Sequence, residues 1–169
     1  MKRIVRGLKW ARRLSGRPAA IPKGRPRGQK ALGVRYERDF AREVPEAMPG
    51  IWFEFEDSNG HGWCQVDFLL PWAGRVLVIE AKYTWVAEAQ VELEGLYLPV
   101  VKAAGLPSPV GLVLCKKLVP KMGNVEVVNS IDAALDAPRP VLHWIGNGPL
   151  LRRAPFHHGS GLVGAARAI

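Results

Sequence analysis

The sequence predicts an α/β domain whose core runs helix, three antiparallel strands, helix, strand. Three observations predict it. An apolar residue every fourth position over 31–44 marks a helix ahead of three strand-like stretches. Short turn signals, SNGHG at 58–62 and PWAG at 71–74, join those stretches into hairpins. A second helical stretch then leads into a wholly apolar run, PVGLVLCKKL at 109–118, the pattern of a strand covered on both faces.

Taken in order, residues 1–17, MKRIVRGLKWARRLSGR, are predicted as a basic amphipathic helix with Ile4, Leu8, Ala11 and Leu14 along one side. Residues 18–30, PAAIPKGRPRGQK, are rich in Pro, Gly and cations and read as an extended linker. The arm at 1–30 is therefore one unit, 31–150 the folded domain, and 151–169 a tail without a clear signal. In the first core helix Leu32, Tyr36, Phe40 and Val44 form the buried stripe, and Pro45 and Pro49–Gly50 end it. IWFEFE (51–56) alternates apolar and acidic residues, as a half-buried strand does. WCQVDFLL (63–70) and RVLVIEAK (75–82) are the next two strands. A helix over 85–104 presents Leu93, Leu96, Tyr97, Val100, Val101 and Ala104 to the core. Pro99 should kink it, and Gly105 and Pro107 should stop it. NVEVVN, SIDAALDA and PVLHWI supply a strand, a short helix and a last strand. The six tryptophans read mostly as core.

Charge divides the chain. Residues 1–36 hold 12 Lys/Arg and no Asp or Glu, while the remainder holds 12 against 15, within a net charge of +9. A basic arm on a mildly acidic body points to a polyanion, and nucleic acid is the first choice. The candidate contacts are Arg3, Arg6, Lys9, Arg12, Arg13, Arg17, Lys23, Arg25, Arg27 and Lys30, with Arg35 on the first core helix. A transit peptide or a membrane-surface helix is the alternative for such an arm. No apolar run reaches bilayer length, and no apolar stretch of the secretory kind follows the basic start. The two cysteines, Cys64 and Cys115, sit inside predicted strands. They give neither a disulfide framework nor a zinc site, so an intracellular, cytoplasmic protein is expected.

The chemistry concentrates in VDFLLPWAGRVLVIEAKY (66–83), where Asp67, Glu80 and Lys82 interrupt two otherwise apolar strands. If PWAG pairs Leu70 with Arg75, then Asp67 faces Val78 and Gln65 faces Glu80. Gln65, Asp67, Glu80 and Lys82 then share one side of the hairpin. Carboxylates this close repel unless a cation lies between them. A hard ion such as Mg²⁺, with Mn²⁺ as its substitute, suits two carboxylates, a backbone carbonyl at Ala81 and water. With a lysine alongside, the set suits phosphodiester hydrolysis. The same residues would also make an ion-pair cluster on a solvated face, but RVLVIEAK is apolar on both faces, as a central strand is.

These residues resemble the PD-(D/E)XK nuclease superfamily, the restriction-endonuclease-like fold, whose helix, three antiparallel strands, helix and strand match 31–118. The resemblance implies that Asp67 and Glu80 bind metal and that Lys82 is catalytic. The family's Pro before the Asp is here Val66. Gly33-Val-Arg-Tyr-Glu37-Arg-Asp-Phe40 is similar to the first helix of archaeal-type Holliday junction resolvases, which implies that Glu37 is a third acidic residue of the metal site, with Glu43 in reserve. Gln90, on the core face of the second helix, matches a Gln that the superfamily often carries near the site. The implied function is a Mg²⁺-dependent endonuclease acting on branched DNA as a homodimer. Another DNA nuclease of the superfamily, or an inactive nucleic-acid-binding descendant, is the alternative.

Overall fold

The computed structural model describes residues 4–22, 27–146 and 150, apart from the side chain of Gln29. The fold is mixed α/β: a seven-stranded mixed sheet in the order β1-β2-β3-β4-β5-β7-β6, with helices on both faces. The strands are β1 (Trp10–Arg13), β2 (Met48–Asp57), β3 (Gly60–Trp72), β4 (Arg75–Thr84), β5 (Pro109–Lys117), β6 (Glu126–Val128) and β7 (Pro140–His143). β1 to β4 pair antiparallel; β4, β5, β7 and β6 run parallel to their neighbours. The element order α1, β2, β3, β4, helix, β5 is the one the sequence predicts.

Helix α1 (Gln29–Glu43) covers one face. Its Tyr36, Phe40 and Val44 pack with Phe68, Leu70, Leu77, Ile79, Leu112 and Leu114 in a first core layer. Leu32, expected in the same stripe, is exposed. Helix α4 (Ile131–Asp136) covers the same face and is capped by Ser130, whose hydroxyl accepts from the Ala133 N–H.

The opposite face is covered by the second predicted helix, which is built in three pieces. Helix α2 (Ala87–Glu92) passes through a π-helical turn (Leu93–Tyr97) into α3 (Leu98–Ala103). Pro99 is the cause: it has no N–H to give, and its ring would strike the carbonyl one α-turn back, so the chain widens locally before it. Leu93, Leu96, Tyr97, Val100 and Val101 join Phe53, Phe55, Cys64, Val66, Leu69, Val76 and Val78 in the second core layer.

Three local corrections follow. Residues 10–13 are a strand, not part of a helix. β1 pairs with β2 through Trp10↔Glu56 and Arg12↔Glu54, and Val5, Leu8 and Ala11 pack on the second layer. Residues 5–14 are thus joined to the sheet. β2 begins at Met48, and Pro49 is tolerated in it because β1 covers only Phe53 to Glu56, which leaves the other edge of β2 open there. His61, expected in a turn, lies in β3, since the turn is only Ser58–Asn59.

Candidate functional site

The site begins with the β3–β4 turn. Trp72 pairs with Arg75, so the loop is only Ala73–Gly74, both with positive φ (47° and 76°). That is the conformation favoured in a two-residue hairpin. It moves the register two residues from the expected one: Leu70 faces Leu77 and Phe68 faces Ile79. A shift of two keeps each side chain on its face.

The ladder stops at Phe68↔Ile79. Beyond it the Ala81 N–H donates to the Asp67 carboxylate instead of a strand carbonyl, at 2.8 Å. Opposite Asp67 on the β2 side, Gly50 has φ +63°, a value an L side chain rarely adopts, and the β2–β3 pairing skips this one position. The alternation of faces inverts at the same place. Cys64 and Val66 point into the second layer, then Leu69, while Phe68 and Leu70 point into the first. The kink explains why Gln65 parts from the other three. It is exposed on the outer face beside Trp63, whereas Glu80 continues the buried row of Val76 and Val78.

Glu80 is 1% exposed and hydrogen-bonded by the Lys82 ammonium. Burial works against the charge on Lys82. Glu80 first, by charge and hydrogen bond, and then Asp67 and Glu92 outweigh it, and the ammonium is held above its ordinary pKa. Tyr97, in the π-turn, is raised by burial and then by Glu80, Asp67 and Glu92. Glu92 therefore belongs to this cluster, and the sequence reading missed it. Gln90 is buried as expected, but its amide donates to Glu94 at 3.0 Å, and Arg139 clamps the same Glu94 with two bonds of 2.6 Å. It supports the helix and not the acids.

Glu37 lies on α1, which packs on the face opposite α2. Among the described residues no three His, Cys, Asp or Glu side chains stand close enough to hold one metal ion. The three-acid shell expected from Glu37, Asp67 and Glu80 is therefore not assembled. The reserve candidate Glu43 instead accepts the Leu150 N–H at 3.3 Å.

The basic residues divide. Lys9 pairs with Glu56 at 2.6 Å, Arg12 donates to Glu54 at 2.7 Å, and Arg13 reaches the Met48 sulfur. Arg6 donates its backbone N–H to Asp57. Arg17 lies 5.7 Å over the Trp52 ring and donates to the carbonyls of Ile21 and Pro22. Arg27, Lys30 and Arg35 are exposed. Arg3, Lys23 and Arg25 lie outside the described residues, as do positions 151–169. Cations that the sequence reading did not single out gather at the carboxyl ends of the parallel strands: the Lys116 and Lys117 ammoniums lie 5.5 and 5.2 Å from the Tyr83 ring, one residue beyond Lys82. That edge of an α/β sheet is where ligands commonly bind.

Both cysteines are buried and free, and burial pushes the Cys115 thiol up to about 11. No helix among the described residues is long and apolar enough to cross a membrane. Comparison with family models, with curated proteins and with solved structures yields no match to this chain.

Proposed function

We propose that this protein is a metal-dependent endodeoxyribonuclease of the restriction-endonuclease-like kind, hydrolysing DNA phosphodiester bonds. The observation that carries the proposal is the break in the β3–β4 ladder, where the Asp67 carboxylate takes the Ala81 N–H between a buried Glu80 and its partner Lys82. The donors fit a hard divalent cation, since Asp67, Glu80 and the Ala81 carbonyl offer only oxygen. Asp67 and Glu80 are the side chains that would hold Mg²⁺ or Mn²⁺. When bound, such an ion activates water and offsets the phosphate charge.

The chain's own groups have distinct tasks. The Ala81 N–H fixes the orientation of the Asp67 carboxylate. Lys82, kept charged by Glu80, Asp67 and Glu92, is suited to donate to a non-bridging phosphate oxygen and to stabilise charge as the bond breaks. Without metal this lysine is held as an ammonium, which suits charge stabilisation better than general-base work. Lys116 and Lys117, over the Tyr83 ring, supply further backbone-phosphate contacts.

Structure-selective cutting, with a four-way junction as substrate and a homodimer as the acting form, follows from the resemblance of Gly33 to Phe40 to the resolvase helix. A two-fold junction needs two sites related by a two-fold axis. The test incubates the protein with a mobile four-way junction, a linear duplex and a single strand of equal length, in Mg²⁺ or EDTA, with molar mass measured alongside. Cutting that requires Mg²⁺ and favours the junction is expected. No cutting of any substrate in Mg²⁺ or Mn²⁺ would sink the nuclease reading. A monomer that cuts linear DNA as fast as the junction would remove only its resolvase part.

A further inference from the structure

The outer face of the antiparallel strands carries a row of aromatic rings that neither core layer uses. Trp10 on β1 and Trp63 on β3 are 38% and 39% exposed. The His61 ring stands between them, 6.3 Å from Trp10 and 4.5 Å from Trp63. Same-face positions along a strand are about 6.8 Å apart, so His61, Trp63 and Gln65 form a regular row along β3. Gln65 pairs across to Trp52, and the row ends at the kink beside Asp67.

A cavity of about 500 Å³ opens there, lined by Trp52, Trp63, Gln65 and Asp67, with Ile21 from the arm and Leu96 from the π-turn. That volume falls within the range of roughly 300–1,000 Å³ that ligand pockets occupy. The acids of the face do not repel a polyanion outright, because each is paired with a cation. These acids, Glu54 and Glu56, are taken up by Arg12, His61 and Lys9. The Arg17 guanidinium lies over Trp52 and its hydrogen bonds go to carbonyls.

Exposed rings on one face, with Lys9, Arg12 and Arg17 along its border, are what an unpaired strand requires. Each base offers a π-face to stack on, and the backbone needs positive charge beside it. A fully paired duplex hides those faces. We infer that this face binds unpaired DNA: bases stack along Trp10, His61 and Trp63, and one base enters the Trp52–Trp63 cavity next to Asp67. The inference rests on the nuclease reading and gives its substrate class, DNA with a single-stranded stretch at the cut or branch point. Rings that would be wasted on a protein surface thus set which DNA reaches Asp67.

The test uses the full chain in EDTA, so that no cutting intervenes. Labelled oligothymidine, an abasic strand of equal length and a blunt duplex of equal length are titrated at moderate salt, with tryptophan fluorescence as a second readout. Oligothymidine is expected to bind more tightly than the abasic strand and to quench fluorescence. Trp63→Ala should weaken oligothymidine about tenfold and leave the abasic strand unchanged. Trp63→Phe, which keeps a stacking ring, should recover most of the affinity, and a melting curve for each variant checks folding. Equal affinity for base-bearing and abasic strands, or no effect of Trp63→Ala, overturns the inference. So does a dimer that Trp63→Ala dissociates while strand binding stays intact, which would give the face to a second copy. The two readings fail separately. Strand binding without cutting in Mg²⁺ would refute the nuclease, and cutting without any dependence on bases would refute the stacking face.

Discussion

The two ends of the β3–β4 hairpin are made of the same strands under the same cover, yet they carry opposite chemistry. At the turn end every rung from Phe68↔Ile79 to Trp72↔Arg75 is paired, and Leu69, Leu70, Leu77 and Val78 are fully buried. At the open end the rungs stop, a carboxylate replaces a strand carbonyl on the Ala81 N–H, and Glu80 is buried against Lys82. An intact ladder satisfies its own backbone, so a polar side chain there would find no partner and would cost free energy. A broken ladder leaves backbone donors that side chains can satisfy. Charged residues are tolerated where the backbone pairing has been given up.

Substitutions at the open end should act on catalysis. Asp67→Asn, Glu80→Gln and Lys82→Ala are each expected to slow Mg²⁺-dependent nicking of supercoiled plasmid by on the order of a hundredfold or more, with circular dichroism unchanged. Near-native nicking in two of the three would mean that the acids and the lysine form a structural cluster only.

Substitutions at the turn end should act on stability. Leu70→Ala or Leu77→Ala removes a fully buried side chain and should cost about 2–5 kcal/mol in urea unfolding. Nicking per folded molecule should stay the same. If Leu77→Ala slowed nicking as much as Lys82→Ala, the two ends would not be separable.

The smallest effect concerns pH. Because the folded-state pKa of Lys82 lies above its ordinary value of 10.5, its ion pair contributes fully below the unfolded pKa and is lost only as pH rises through the folded one. The melting-temperature gap between wild type and Lys82→Met should therefore stay flat from about pH 6 to 9 and narrow in stronger alkali. A gap that already closed between about pH 7 and 8 would mean a depressed lysine, and would return Lys82 to the role of base.

How much of this was legible depends on the range of the interactions involved. α1, the hairpin strands and β5 show in the sequence because their apolar period is local, and Asp67, Glu80 and Lys82 stand out as charges in apolar strands. The register was off by two because Ala73, unlike Asn or Gly, does not advertise a positive φ. β1 was hidden because a strand of four residues, paired with positions some forty residues on, has no period of its own; Ala11, with Ile4 and Leu8 before it, also fits a helix. Glu92 escaped notice because only the fold carries its helix over the hairpin. Trp63 reads as core from sequence because a large ring usually is, and alternation alone does not reveal which face of β3 lacks a cover. Gln65 was placed with the acids by an unbroken alternation that Gly50 and Asp67 interrupt.

The inversion at Gly50 and Asp67 has a further effect. β3 sends Cys64, Val66 and Leu69 into one layer and Phe68 and Leu70 into the other, so a single strand is rooted in both cores. Neither layer can come away without pulling β3 out of its counterpart. Amide hydrogens beneath α1 and beneath α3 should then exchange with deuterium through one common opening, not two. The pivot of that strand is the carboxylate proposed to meet the substrate, so occupation of the site should slow exchange in both layers together.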